Sequence, residues 1–169
     1  MRKIGKTFGA LIAVLSLVGI SASAQYDVNP HLSALDGAAI VGSNATFRSN
    51  VLQGRNALVM FWAANCPPCL VEMQGFARLK AASNNVPIIV IVEKYGASEQ
   101  RLLANPRNGG ALILNVGGNY RALLQEFGDT EAALPYSILI GKTGFACIAH
   151  LGLMTPRAIG EMQAECDQS

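Results

Sequence analysis

The sequence predicts an α/β fold, in which a mixed central sheet is flanked by helices on both faces. Apolar, β-forming runs alternate with helix-forming segments from residue 57 to residue 127, and two apolar runs follow with only four residues between them. Alternating strands and helices form parallel pairs with helices on both sides. A short connection instead joins antiparallel neighbours, so the last two runs predict a hairpin.

Each element has its own signal, and the predicted order is β, α, β, α, β, α, β, β, α. Short apolar runs bounded by turn residues predict strands at 57–63, 86–92, 111–115, 136–140 and 145–151. Helical patterns predict helices from residue 67 to about 83, over 98–104, over 120–127 and from 156 to about 165. The start signals are Pro67, the N-cap candidate Ser98 and the pair Thr155-Pro156, and Gly128 is a stop signal.

The N-terminus has the pattern of a secretory signal peptide. Three basic residues precede about thirteen mostly apolar residues, and small residues follow at 21–24. We expect cleavage after Ala24, which leaves 25–45 as a lead-in with little structure beyond a short edge strand and 46–169 as the working domain. The alternative is an uncleaved anchor facing the periplasm, although spanning a bilayer takes about 20 apolar residues. The expected location is the periplasm.

The charge belongs mainly to this leader. It holds three of the 13 basic residues and none of the 11 acidic ones, so the remaining chain has a net charge of about −1. Nucleic-acid binding would require a basic patch. We therefore expect no nucleic-acid partner.

The strongest chemical signal is a pair of cysteines at the junction between the first strand and the first helix. Cys66 falls at the helix N-cap, where the helix dipole and free N–H groups favour a thiolate. Cys69 follows one turn later, so the pair can close a disulfide and pass it to another protein. The alternatives are an inert structural bridge and a zinc half-site, which would need two more ligands at close spacing.

Four segments, at 47–54, 61–73, 134–144 and 149–162, resemble the thioredoxin-like TlpA/ResA/CcmG family of exported, membrane-associated reductases of cytochrome c maturation. The segments FWAANCPPCLVEM (61–73) and LPYSILIGKTG (134–144) are specific, AHLGLMTPRAIGEM (149–162) is weaker, and the similarity extends over residues 47–165. The resemblance implies a thioredoxin-like fold and a protein disulfide reductase that acts at Cys66-Pro67-Pro68-Cys69. It also implies cysteine-containing exported proteins as substrates and a membrane or periplasmic electron donor. No cofactor and no metal are expected.

The resemblance also implies a substrate-binding set. Pro135 corresponds to the family's cis-proline, which packs against the active disulfide, and the backbone of Leu134 would pair with a substrate peptide. Trp62 and Pro67 are assigned to the same surface. The alternative for Pro135 is an ordinary proline at the start of a strand.

Glu72 is the third catalytic candidate. Family reductases carry an acid at this spacing, and a carboxylate beside a thiolate raises both pKa values. The alternative is a solvated glutamate in the first turn of a helix. The chain departs from thioredoxins in having Met60 where they have a buried aspartate and Asn65 where they have tryptophan. Tyr136 stands where the family often has threonine, which would alter the substrate groove.

The other two cysteines, Cys147 and Cys166, have no counterpart in the minimal fold. They are candidates for a bridge that holds the last helix, and the alternative is two separate thiols. Two rival functions stay open at this point. One is a disulfide oxidant or isomerase, and the other is a copper-binding chaperone or binding module, although such chaperones have a wider cysteine spacing and a dedicated histidine.

Overall fold

The computed structural model describes residues 30–103 and 110–168. The expected leader at 1–24 and its cleavage site lie outside these residues. Within the described part of the chain, no helix combines the length and the apolar character needed to cross a membrane.

A mixed sheet of six strands forms the centre of the described structure. The strands are β1 (Ala39–Ile40), β2 (Ala57–Phe61), β3 (Ile88–Val92), β4 (Leu112–Asn115), β5 (Tyr136–Ile140) and β6 (Ala146–Leu151). The helices are α1 (Pro67–Gln74), α2 (Phe76–Ala82), α3 (Ala97–Leu103), α4 (Tyr120–Glu126) and α5 (Pro156–Cys166). Short 3-10 segments lie at Leu32–Leu35, Ser49–Leu52 and Gly117–Asn119.

The strand order, β1-β4-β3-β2-β5-β6, places the cysteine turn beside the proline loop. Strands β2, β3 and β4 are parallel, and β5 runs antiparallel to both β2 and β6. The predicted mixed sheet and closing hairpin are therefore confirmed. Because Phe61 at the end of β2 pairs with Tyr136 at the start of β5, the segments that follow and precede them meet at one edge of the sheet.

The sheet separates two cores, since β2 and β3 are buried on both faces. The first core packs α1, α2 and α5 against the face that carries Met60, and it contains Cys66 and Cys69. The second core packs α4 against the opposite face, around Phe61 and Tyr136. Side chains alternate between the faces along a strand, so neighbouring residues of β2 serve different cores.

Two predicted helices differ from the observed ones. The single helix expected from residue 67 to about 83 is divided at Gly75, which has φ −90° and ψ 0° and donates its N–H to Glu72 O at 3.0 Å. Glycine stabilises a helix interior poorly, which explains a break at this position. The helix expected to begin after Ser98 begins at Ala97, and the carboxylate of Glu99 accepts the N–H of Gly96 at 3.0 Å.

The described part of the lead-in holds more structure than expected. The short edge strand is present as β1, which pairs with β4. A 3-10 segment precedes it, and its Leu32 and Leu35 are buried in the second core. We expected little structure here because the segment is rich in Ser, Asn, Gly and Ala. Its two leucines nevertheless provide the apolar area that fixes the segment to the sheet.

Candidate active site

The cysteine turn begins α1 in the manner expected from the sequence. Cys66 is the N-cap residue, with an extended backbone, and Pro67 occupies the first helical turn. The Sγ of Cys66 accepts the N–H of Cys69 at 3.2 Å, and the two residues form a disulfide with their Cα atoms 5.2 Å apart. Because Pro68 has no N–H, the backbone donor to this sulfur comes from Cys69.

The two cysteines differ in their exposure. Cys66 retains 9% of its surface, whereas Cys69 is completely buried. The residues on either side of Cys66, Asn65 and Pro67, are exposed. An incoming sulfur therefore meets Cys66 first, and Cys69 reacts from the interior.

Trp62 supports this turn from inside the protein. Its side chain is fully buried, and its indole Nε1–H donates to Cys69 O at 2.8 Å. The substrate-binding role expected for Trp62 stays a prediction that the burial of its side chain does not favour. Tyr120 is also buried, and its hydroxyl donates to Trp62 O at 3.2 Å. Burial and the nearby carboxylates of Glu93 and Asp129 raise the pKa of Tyr120 well above its ordinary value.

The proline loop lies beside the cysteine turn at the same edge of the sheet. The Leu134–Pro135 peptide bond is cis, as the resemblance implied. Pro135 is buried and accepts the N–H of Gly152 at 2.9 Å, while Leu134 is half-buried and packs against both cores. The loop that follows β6 is thereby attached to the proline loop.

Tyr136 points away from the cysteines. Its ring is buried in the second core, and its hydroxyl donates to Phe127 O at 2.6 Å. Burial, together with the charge of Asp129, raises the pKa of Tyr136 to about 12. The expected effect of this side chain on the substrate groove is corrected, because the ring stabilises the opposite core.

Glu72 is buried, so the solvated alternative is wrong. Only 3% of its surface is exposed, and its Oε1 accepts the N–H of Met154 at 2.8 Å. Its Oε2 is buried and has no hydrogen-bond partner among the described residues. Burial raises the pKa of Glu72 from 4.5 to about 7, against the lowering effect of the Met154 hydrogen bond. Met60, at the position of the thioredoxin aspartate, lies in the same core as both cysteines and adds no ionisable group.

The second cysteine pair lies away from this turn. A disulfide joins Cys147 on β6 to Cys166, the last residue of α5, with the Cα atoms 5.2 Å apart. Gly141 lies against it, since a Cβ atom at that glycine would be 2.8 Å from the Cys147 Sγ. The bridge therefore ties the end of the last helix to the closing hairpin.

A cavity beside the cysteine turn escaped the sequence analysis. It measures about 490 Å³ and lies at the carboxyl ends of β2 and β3. Its lining includes Ala63, Ala64, Asn65, Glu93, Lys94 and Ser98. The signal for it was the parallel pairing of these two strands, because clefts in open α/β sheets form outside the carboxyl ends of the strands.

Comparison of the sequence with models of protein families and with curated proteins gave no match. Comparison with solved structures gave several matches. The thioredoxin-related protein of Neisseria meningitidis serogroup B has 19% identity and a TM-score of 0.63, over 75% of this chain and 96% of its own. DsbF of MTB has 18% identity and a TM-score of 0.62, over 78% of this chain and 97% of its own.

A third similar structure is a secreted disulfide oxidoreductase of Mycobacterium tuberculosis that is homologous to DsbE of E. coli. It has 16% identity and a TM-score of 0.56, over 83% of this chain and 95% of its own. These similarities agree with the mixed six-stranded sheet and its flanking helices. The chain therefore has a thioredoxin-like fold, with a bonded Cys66–Cys69 pair at the start of α1.

Proposed function

We propose that the protein is an exported thiol–disulfide oxidoreductase that acts as a protein disulfide reductase. The observation that carries the proposal is the asymmetry of the cysteine pair. Cys66 retains 9% of its surface at a helix N-cap, and the fully buried Cys69 is bonded to it from within the helix. A nucleophile and a resolving thiol need this arrangement.

The reaction starts from the reduced dithiol. The Cys66 thiolate attacks one sulfur of a disulfide in the partner, which forms a mixed disulfide and releases the other partner sulfur as a thiolate. Cys69 then loses its proton and attacks the Cys66 sulfur, which releases the second partner thiolate and closes the Cys66–Cys69 disulfide. The partner gains two electrons, and a membrane or periplasmic dithiol donor returns two electrons to the protein.

Glu72 supports the second step in this proposal. A resolving thiol buried in an apolar core needs a group that takes its proton, and Met60 cannot do so. Glu72 lies one helical turn beyond Cys69 and has a pKa of about 7, so both of its protonation states are populated near neutral pH. Oε2, which has no hydrogen-bond partner among the described residues, is the oxygen at which we place the proton.

The reductive direction follows from how weakly the site stabilises the Cys66 thiolate. Strong oxidants of this fold stabilise that thiolate heavily, because their reduced form must be favoured. Here, one backbone N–H of the described structure, that of Cys69, reaches the sulfur, and the two residues between the cysteines are prolines without charge. A charged Glu72 would oppose a second negative charge nearby. The pair therefore holds its electrons less firmly than an oxidant does.

Exported proteins that carry cysteines are the proposed substrates, with apocytochrome c as the family resemblance suggests. Support comes from the surface around Cys66, where Pro67 is exposed and Leu134 is half-buried beside the cis-proline. Val71 on α1 and Leu153 after β6 are apolar side chains that are 55% and 43% exposed. An extended, unfolded segment around a cysteine could pair with Leu134 and pack on these side chains.

Substitution of each cysteine tests the assignment. Cys69→Ala removes the resolving thiol, so we expect mixed disulfides with exported proteins to accumulate on Cys66 and to disappear on treatment with reductant. Cys66→Ala should trap none. The matched control is Cys166→Ala in the Cys66→Ala background, which leaves the Cys147 thiol free and should also trap none. Trapping on Cys69 in the Cys66→Ala variant would contradict the assignment.

A further inference from the structure

One peptide group after β6 connects two ionisable side chains. The carbonyl oxygen of Leu153 lies 3.2 Å from Nε2 of His150, and the N–H of the next residue, Met154, donates to Oε1 of Glu72 at 2.8 Å. Both polar atoms of the Leu153–Met154 peptide group are therefore bound to side chains. The imidazole lies at one end of this arrangement and the buried carboxyl of Glu72 lies at the other.

The sheet places His150 on the side of the cysteine pair. His150 pairs with Ser137 on β5, and Ser137 pairs with Met60 on β2. Directly opposed residues of neighbouring strands point to the same face, and Met60 belongs to the first core together with Cys66 and Cys69. A carbonyl oxygen only accepts hydrogen bonds, so Nε2 of His150 carries a hydrogen and donates it.

We propose that His150 is a positioning residue, which holds the Leu153–Met154 peptide group so that the Met154 N–H stays directed at the Glu72 carboxyl. The catalytic part of this inference rests on the proposed function, in which Glu72 accepts the proton of Cys69. His150 touches neither a sulfur nor a substrate in this account. It acts only through the peptide group.

The surroundings of the peptide group make this contact consequential. The loop begins at Gly152, whose φ is +104° and whose N–H donates to Pro135 O at 2.9 Å. From there to the start of α5 at Pro156, the loop is held to α1 by the Met154–Glu72 hydrogen bond. A donor on the carbonyl side of a peptide group polarises it and strengthens the N–H on the other side. Loss of the His150 donor therefore weakens the Met154–Glu72 hydrogen bond, which lowers the Glu72 pKa.

Among the ionisable groups around Glu72 in the described structure, His150 is the one that is hydrogen-bonded to the carbonyl of the Leu153–Met154 peptide group. Cys66 and Cys69 lie in the same core, on the helix that carries Glu72. The remaining charged residues of α2 and α5 lie on the exposed surface, and two of them, Arg157 and Glu161, pair with each other at 2.7 Å. These exposed residues are Arg78, Lys80, Arg157, Glu161 and Glu165.

The test follows the Glu72 carboxyl carbon by NMR as a function of pH, in the oxidised protein so that the cysteines do not titrate. His150→Phe keeps a ring but removes the donor, and we expect the Glu72 pKa to rise by about one unit. His150→Gln keeps an N–H donor and should restore most of the wild-type value. The matched control is His31→Phe, because His31 contacts Ser33 and Phe145 at the opposite end of β6. An unchanged Glu72 pKa in His150→Phe, or an equal rise in His150→Gln, would overturn the proposal.

Two further readouts keep the inference separate from folding and from the proposed function. In wild-type protein, 15N shifts should show that neutral His150 carries its hydrogen on Nε2, and a neutral Nδ1–H form would overturn the proposal without any variant. The pH profile of disulfide exchange should move with the Glu72 pKa in His150→Phe, and a Glu72→Gln background should abolish the movement. A movement that persists in that background also overturns the proposal. If no variant and no wild-type protein exchanges disulfides, the proposed function fails while the carboxyl titration still decides the role of His150.

Discussion

The two disulfides of the described structure differ in their place relative to a helix, since one lies at the start of a helix and the other at the end of one. Cys66–Cys69 closes a three-residue separation at the N-terminus of α1, where the helix dipole is positive and favours a thiolate. Cys147–Cys166 closes a separation of 19 residues, and Cys166 ends α5, where the dipole is negative and disfavours a thiolate. Helix polarity thus favours redox chemistry at the first pair and a stabilising role for the second.

The largest expected effect is on stability, and it tests the second pair. The double variant Cys147→Ser, Cys166→Ser removes a constraint on the unfolded chain, which costs about 3 kcal/mol for a loop of this size. Denaturant unfolding of the oxidised protein measures this loss. Disulfide exchange at the first pair should keep its wild-type rate under conditions where the variant is folded. A folded variant that has lost exchange would mean that the second pair takes part in the chemistry.

Next in size is the pH dependence that Glu72 confers. Its pKa in the folded state, about 7, lies above the ordinary 4.5, so the folded state binds more protons between these values and stability falls as the pH rises. This contribution is complete below pH 4.5 and is lost as the pH passes through 7. Between pH 5 and pH 7, the wild type should lose about 2 kcal/mol relative to Glu72→Gln.

Denaturant unfolding of both oxidised proteins at the two pH values measures this difference. Glu126→Gln is the control, because Glu126 is an exposed glutamate on α4 and its replacement should leave the pH dependence as in the wild type. Equal pH dependence in the wild type and Glu72→Gln would show that the buried carboxyl is not perturbed as described.

The smallest expected effect concerns the support beneath the first pair. Tyr120→Phe removes the hydroxyl that donates to Trp62 O and leaves this buried carbonyl without that donor, so we expect a loss of about 1 kcal/mol in the free energy of unfolding. Tyr136→Phe is a matched variant, because its hydroxyl donates to Phe127 O in the second core. Only Tyr120→Phe should also change the rate at which Cys66 reacts with an alkylating agent in the reduced protein. Equal alkylation rates in all three proteins would contradict a link between Tyr120 and the cysteine turn.

Local signals in the sequence predicted the elements that position the site. Cys66 as N-cap and Thr155 as N-cap with Pro156 after it are confirmed, because the capping interactions lie within four residues of one another. The mixed sheet and the hairpin are confirmed, since apolar runs and connection lengths determine them. The break at Gly75 was missed because the apolar pattern continues through it, and Phe76 is buried like Met73.

Long-range contacts account for most of what sequence reasoning missed at the site. The burial of Glu72 depends on Met154, 82 residues away, and the role of Trp62 depends on Tyr120, 58 residues away. Contacts between residues so far apart in the chain produce no spacing pattern in the sequence. Tyr136 was expected at the substrate groove because it follows the proline. Side chains alternate between the faces of a strand, so Tyr136 lies on the same face as Ile138, in the second core.

The reduction potentials of the two pairs test the central claim most directly. Equilibration of the protein in glutathione buffers, followed by alkylation and mass spectrometry of each pair, gives both values in one experiment. We predict that the potential of Cys66–Cys69 lies nearer the thioredoxin value of about −270 mV than the strong-oxidant value of about −120 mV. The potential of Cys147–Cys166 should lie below about −300 mV. A Cys66–Cys69 potential above about −180 mV, the value of disulfide isomerase, would mean that the protein donates disulfides and would contradict the reductase assignment.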